Sequence, residues 1–322
     1  MRHLLPRRKA LAVQLMVAAT LLAPLTFLIS CRKAENVEPQ KPVPKTFASP
    51  ADAGAALFEA AKSGDQQALL AIFGPDAKEF MSSGDAVSDK NSLQAFVAAY
   101  EEMHRWRAIR AGGQMLLTGA DNFLFPIPLG QNEAGQWYFD TAAGKDEILA
   151  RRIGRNELSA IAASSAVARA ENEYFSRPRN GEKVKQYTQK LVSDEGKQDG
   201  LYWAAAAGQP PSPLEDARDF AKALGYTNAG AKPQPFEGYY FRILTKQGDK
   251  AKGGARDYVV DGKMTSGFAV LAFPIEYRNS GIMTFIAGKD GVVYQKDLGE
   301  NTAAAAQAMS EYNPDDSWKP AS

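Results

Sequence analysis

Residues 144–181 read GKDEILARRIGRNELSAIAASSAVARAENEYFSRPRNG, and this stretch decides the fold class. Ile148, Leu149, Ile153, Leu158, Ile161, Val167 and Tyr174 supply an apolar stripe through a segment rich in alanine, the strongest helix former. Arg151, Arg152, Arg155, Glu157, Arg169, Glu171 and Glu173 lie on the far side at separations that allow pairing along a helix, which reads as a solvated, salt-bridged face. The pattern predicts a long connecting helix over residues 146–178, with Gly154 as a point where it divides in two.

Upstream, QMLLTGADNFLFPIPLGQNEAGQWYFDTA (residues 114–142) changes period and reads as three short strands, with turns at Gly119–Asn122 and Glu133–Gly135. Before it, SPADAGAALFEAAKSGDQQALLAIFGPDAKEFM (residues 49–81) reads as a helical hairpin. Ser49 is an N-cap with Asp52 in support, Gly64-Asp65 makes the turn, and Gly74-Pro75 stops the second helix. A third helix is predicted over NSLQAFVAAYEEMHRWRA (residues 91–108), where Leu93, Phe96, Val97 and Tyr100 recur at helical spacing. Helices followed by an antiparallel sheet give an α+β layer. The order of helical hairpin, helix and strands ending in GQWYFD resembles the cone-shaped fold of nuclear transport factor two and its relatives.

Downstream, PFEGYYFRIL (residues 235–244) and GFAVLAFPIEYRNSGIMTFIAGKDGVVYQKDLG (residues 267–299), with the helix ending AENEYFS, resemble the globular head of pilins and pseudopilins. The resemblance implies an antiparallel sheet packed on the end of the central helix. Lys289-Asp290-Gly291 makes the last turn, and Met283 and Phe285 facing Val292 and Tyr294 fit one buried strand face. The helix is internal and lacks the long apolar half by which pilins assemble, so the expectation is a head fold and not a filament subunit. The resulting α+β architecture has an N-terminal domain at 49–145, the helix, and a C-terminal domain at 179–322. Between helix and sheet, residues 196–238 are rich in Gly and Pro and contain Tyr202 and Trp203, which form either a ligand platform or a cap on a core. The strings from Phe125 to Ile161, 238–248 and 267–299 also resemble a bacterial family known only as domain of unknown function 2950. That resemblance covers nearly all of the chain after about residue 48 and implies no activity.

The first ten residues hold Arg2, Arg7, Arg8 and Lys9, and the next twenty, LAVQLMVAATLLAPLTFLIS, carry no charge. This is a signal-peptide pattern over residues 1–30. It closes on Leu28-Ile29-Ser30-Cys31, which resembles the lipobox of bacterial lipoproteins. The resemblance implies cleavage between Ser30 and Cys31 and acylation of Cys31, so that the lipid bilayer is a partner and the chain works outside the cytoplasm. The competing reading is an uncleaved anchor helix, since about twenty apolar residues suffice to span a bilayer. Residues 31–48, with Pro39, Pro42 and Pro44, read as an extended tether. Arg32 stands where an aspartate would signal inner-membrane retention, which favours the outer membrane facing the periplasm.

Composition narrows the function classes. Of 38 basic residues, four leave with residues 1–30, so 34 remain against 37 acidic ones, a net charge of −3 that offers no footprint for nucleic acid. Cys31 is the only cysteine, and His104 the only histidine beyond His3, so intramolecular disulfides and multi-histidine zinc sites are excluded. His104, among charged neighbours, reads as a helix-end surface residue. Gly112-Gly113 and Gly253-Gly254 lack the Gly-Lys-Ser/Thr ending of a nucleotide loop, and no cofactor is indicated. The leading expectation is a non-enzymatic envelope lipoprotein that binds a protein or envelope polymer. The alternative is an extracytoplasmic hydrolase using carboxylates in a cleft between the domains. Arg151, Arg152, Arg155, Tyr202 and Trp203 are the first candidates for lining such a cleft. Because Cys31 carries the only thiol in the chain, Cys31→Ser is expected to abolish labelling by a metabolic lipid precursor and leave an unprocessed chain. Unchanged labelling and cleavage of the variant would defeat the lipoprotein reading.

Overall fold

The computed structural model describes residues 43–205, 208, 210–217, 220 and 234–321. The apolar segment, Ser30, Cys31 and most of the proline-rich tether lie outside the described residues. Among the described residues no helix is long and apolar enough to cross a membrane. Pro42–Ser322 closes into one compact unit.

Helix α1 (Pro50–Ser63) is capped as its sequence predicts, with the Ser49 hydroxyl accepting from Asp52 N at 3.1 Å and Gly64 turning left-handed at φ 67°. Asp65 caps α2 (Gln66–Phe73) by accepting from Gln67 N and Ala68 N. A short 3₁₀ turn (Pro75–Ala77) and α3 (Lys78–Met81) lead to α4 (Ala86–Glu102). The third helix thus begins before the predicted 91 and stops before the predicted 108. Asp85 starts it by accepting from Val87 N and Ser88 N. His104–Ala108 is instead the edge strand β1. Period 2 suits HRWRA: Arg105 and Arg107 stay in water while the Trp106 ring lies against Gly54 of α1.

The N-terminal sheet is antiparallel in the order β1, β2 (Gln114–Thr118), β4 (Leu129–Gln131), β5 (Trp137–Phe139), with β3 (Phe123–Leu124) also on β2. The three strands predicted here are four, because the turn at Gly119–Asn122 closes a separate two-residue hairpin strand. Leu116, Ile127, Leu129 and Phe139 meet Leu57 and Phe73 in a core under the helices. Phe47, within the tether predicted over residues 31–48, belongs to this lobe: it exchanges both backbone hydrogen bonds with Trp137, at 2.8 and 2.9 Å.

Helix α5 (Thr141–Phe175) follows β5 directly, capped by Asp140 accepting from Ala143 N, and its 35 residues extend about 52 Å at 1.5 Å each. It is continuous through Gly154, contrary to the predicted division. Gly154 is exposed with helical φ, and its weak propensity is outweighed by packing on both sides. The first turns place Ile148 and Leu149 on the N-terminal core, and the later turns place Ala160, Ala163, Val167, Ala170 and Tyr174 in a second core. Four side chains depart from the predicted faces, and two of them, Arg152 and Glu157, turn into the seam between the lobes. Leu158 is 65% exposed, since nine residues from Val167 is half a turn out of phase. Glu171 is fully buried, because it lies on the stripe between Val167 and Tyr174.

That second core is roofed by an antiparallel sheet in the order β14 (Lys319–Pro320), β13 (Val293–Asp297), β12 (Met283–Gly288), β11 (Ala269–Pro274), β6 (Tyr239–Leu244), and between β6 and β11 the chain forms two short hairpins, β7 (Lys246–Gln247) with β8 (Arg256–Asp257) and β9 (Val259–Val260) with β10 (Lys263–Met264). Every residue of β11 is buried, as a continuous apolar strand covered on both faces requires. The second face carries Leu271, Ile286, Tyr258, Trp318 and α6 (Thr302–Ala308) in a third core. The register pairs Ala287 with Val293 and Ile286 with Tyr294. Phe285, Ala287 and Val293 therefore face α5, whereas Tyr294 points to the other core and Val292 is exposed at the turn. The predicted pairing is one residue out, because left-handed Gly291 (φ 74°) and Val292 both belong to the turn.

The two lobes meet along α5 in a polar seam. Asn156 Nδ2 donates to Ser280 O at 2.9 Å, and Glu157 Oε1 accepts from Ile282 N and Met283 N, each at 2.9 Å. Asp85 Oδ2 accepts from Gly238 N at 3.2 Å, and Ser88 donates to Glu237 at 3.0 Å.

Two glycines of α5 predict opposite outcomes for one substitution. At Gly154 a methyl group would stand in open space, so Gly154→Ala is expected to stabilise by about 0.5–1 kcal/mol. At Gly144 a Cβ would meet Ile127 Cα at 2.7 Å and Pro126 O at 2.8 Å, so Gly144→Ala is expected to lower the melting temperature. Equal shifts of the two variants in thermal unfolding would contradict this packing.

Burial pushes the Glu171 carboxyl well above the usual carboxylate range, with the hydrogen bond from Thr188 N (3.0 Å) opposing it. The raised folded value means the stabilising protonated form holds below the ordinary carboxylate pKa, and stability is lost as pH rises toward the folded value. Melting curves should show Glu171→Gln gaining on the native chain progressively as the pH rises above the ordinary carboxylate range; a pH-independent difference would contradict this.

Candidate ligand-binding groove

The residues singled out from sequence do not converge. Arg151 pairs with Glu147 through Nε at 2.6 Å, donates from Nη1 to Leu124 O at 2.6 Å, and its guanidinium lies 4.9 Å over the Phe123 ring. Arg152 donates to Phe80 O and, at 2.5 Å, to Asn279 Oδ1, while Asn279 donates to Ser82 O, so this guanidinium joins the two lobes. Burial lowers its pKa. Arg155 is exposed. Trp203 is buried in the second core beneath Arg179, whose guanidinium lies 5.5 Å from its ring and 4.8 Å from Tyr174. Tyr202 is half-buried, its backbone bonded to Leu191 O and Ser193 N. Arg155 and Tyr174 are about 30 Å apart along the helix at 1.5 Å per residue. His104 stacks on Tyr100 at 3.9 Å, with Nδ1 at 2.9 Å from Tyr100 O.

A groove of about 860 Å³ opens elsewhere, on the far face of the C-terminal sheet. Its wall begins with the hairpin β7 (Lys246–Gln247) and β8 (Arg256–Asp257). After α6 the chain runs beside β7, with Tyr312 N donating to Lys246 O at 2.9 Å and Gly248 N to Tyr312 O at 3.0 Å. Asn313 Oδ1 holds the hairpin loop by accepting from Lys250 N at 2.7 Å and Ala251 N at 3.2 Å. Asp315 accepts from Ser317 N at 2.9 Å and from its hydroxyl, a turn that presents Trp318 before β14 pairs with β13.

The floor is aromatic and pinned. Tyr258 Oη donates to Gln247 Oε1 at 2.8 Å, and Gln247 Nε2 donates to Lys252 O at 3.0 Å and Gly254 O at 2.8 Å. Trp318 and Tyr312 are each 7% exposed, and Tyr294 is half-buried beside them. Burial pushes the Tyr258 hydroxyl up to about 12 and raises that of Tyr312 further, so both remain neutral hydroxyls. Lys296 Nζ lies 5.9 Å from the Trp318 ring.

Lys252, Arg256, Lys289 and Lys319 line the exposed rim with Asp290, Asp315 and Asp316. No ion pair joins these cations and carboxylates among the described residues, which leaves both signs available to a ligand. The hydrogen bonds from Ser317 hold Asp315 below the usual range, an ionised acceptor rather than an acid. The carboxyl raised by burial, Glu171, is enclosed in the protein and does not line the groove. Among the described residues, no group of three or more His, Cys, Asp or Glu is placed to hold a metal ion.

Sequence reasoning missed this groove. Its signal was the run EYNPDDSWKP (residues 311–320), in which two aromatics flank a Pro-Asp-Asp turn. A second hollow, of about 590 Å³, lies against Ala162 and Ala166 of α5 near Phe220 and Phe236.

No curated protein and no solved structure matches the chain. The model of one family, described as "Protein of unknown function (DUF2950)", matches residues 44–321, and the chain belongs to that family.

Proposed function

We propose that this protein is a membrane-tethered lipoprotein of the bacterial envelope, a binding module that holds a protein or envelope polymer without transforming it. The groove around Trp318 carries this reading. Its size suits a ligand of several rigid units, Tyr258 in its aromatic floor is held by a hydrogen bond to Gln247, and its rim carries charges of both signs that are not joined in ion pairs among the described residues. Anchoring through Cys31, outside the described residues, follows from the lipobox resemblance and puts the groove outside the cytoplasm.

A photoreactive amino acid in place of Lys289 tests the reading in intact cells, with the same substitution at Lys90 of α4 as a remote control. Adducts are expected from position 289, falling when Lys252→Glu is added, and not from position 90. Equal adducts at both positions, or none at 289, would oppose the reading. Release of soluble cleavage products from an envelope polymer would replace it with the hydrolase alternative.

A further inference from the structure

We infer that the groove takes a glycan strand bearing acidic groups, one of whose sugar rings rests against the aromatic floor formed by Trp318, Tyr294 and Tyr312; this rests on the binding reading above. A pyranose has an apolar C–H face and a ring of hydroxyls at its edge, so it needs an aromatic plane beneath it and both donors and acceptors around it. The groove supplies both. Trp318, Tyr294 and Tyr312 lie together in its lining. Tyr312 Oη makes no hydrogen bond among the described residues, although its ring is buried and its hydroxyl stays neutral.

The charge distribution selects an acidic strand. Asp290 and Asp315 each turn one oxygen onto their own loops, accepting from Val292 N at 3.2 Å and Ser317 N at 2.9 Å. The ammonium groups of Lys252 and Lys289 have no partner among the described residues, and Lys296 adds a cation behind Trp318. The rim carries four cations, Lys252, Arg256, Lys289 and Lys319, against the three carboxylates of Asp290, Asp315 and Asp316, and this net positive charge favours a carboxylate-bearing ligand.

The strand beside the groove argues against an extended peptide. Peptides commonly bind by adding a strand to an open sheet edge, and β14 is the edge here. It is two residues long, Pro320 has no N–H to offer, and Lys319 is exposed. Proline and lysine on a short edge strand disfavour further pairing.

The experiment uses the full chain in detergent micelles, titrated with oligogalacturonate, uncharged chitohexaose, and a poly-glutamate peptide of matched charge, and read by tryptophan fluorescence and calorimetry. Oligogalacturonate is expected to bind more tightly than chitohexaose, with an advantage that shrinks in high salt. Trp318→Ala is expected to weaken it by about tenfold. Because Trp318 also packs in a core, the exposed Lys252→Glu and Lys289→Glu provide a second test: each should weaken oligogalacturonate while leaving the melting temperature unchanged. Absence of binding by both glycans, or glycan binding indifferent to both lysine variants, would overturn the inference. Preference for poly-glutamate would also overturn it while leaving the binding module standing. If none of the three probes binds and position 289 gives no adduct in cells, both readings fall.

Discussion

The structure depends on one helix being shared between two cores. Along α5 the buried face passes from the helical lobe to the C-terminal sheet, and between the two stretches come Arg152, Asn156 and Glu157. Apolar contact there would fix the lobes only loosely, since it has no direction. Hydrogen bonds do have direction, and a buried polar group left without a partner is costly. The seam thus sets the angle between lobes by stereochemistry. The same arrangement keeps β12 in place, β12 holds β13, and β13 holds the short strand that follows Trp318.

Much of this architecture was legible. The α+β class, the caps of α1 and the long alanine-rich helix followed from spacing alone, because each rests on local rules of capping and periodicity. What failed were readings in which a local signal competes with distant packing. Gly154 looks like a breaker, but neighbours on both sides outweigh a propensity of about 1 kcal/mol. HRWRA looks like the last turn of a helix, but the demand of Trp106 for the α1 surface extends it. Glu171 was legible and was missed, since it stands at the spacing of the apolar stripe between Val167 and Tyr174.

The groove was beyond sequence reasoning for a different reason. Its lining comes from residues near 250, 290 and 315, which converge through β7, β12–β13 and the C-terminal segment. No periodicity connects them. On the proposed binding reading, the buried floor and the exposed rim would divide the work of recognition: rings held in advance lose little freedom on binding, whereas long rim side chains adapt to a ligand of variable outline.

The backbone pair between Phe47 and Trp137 has a mechanical meaning. Tension arriving along the preceding chain first loads Lys45 N on Ala71 O, then this two-bond clasp on β5. Two residues beyond Trp137, β5 ends at Phe139 and Asp140 starts the spine helix. A pull applied ahead of Lys45 would thereby meet β5 and the long helix that follows it before it reached α1.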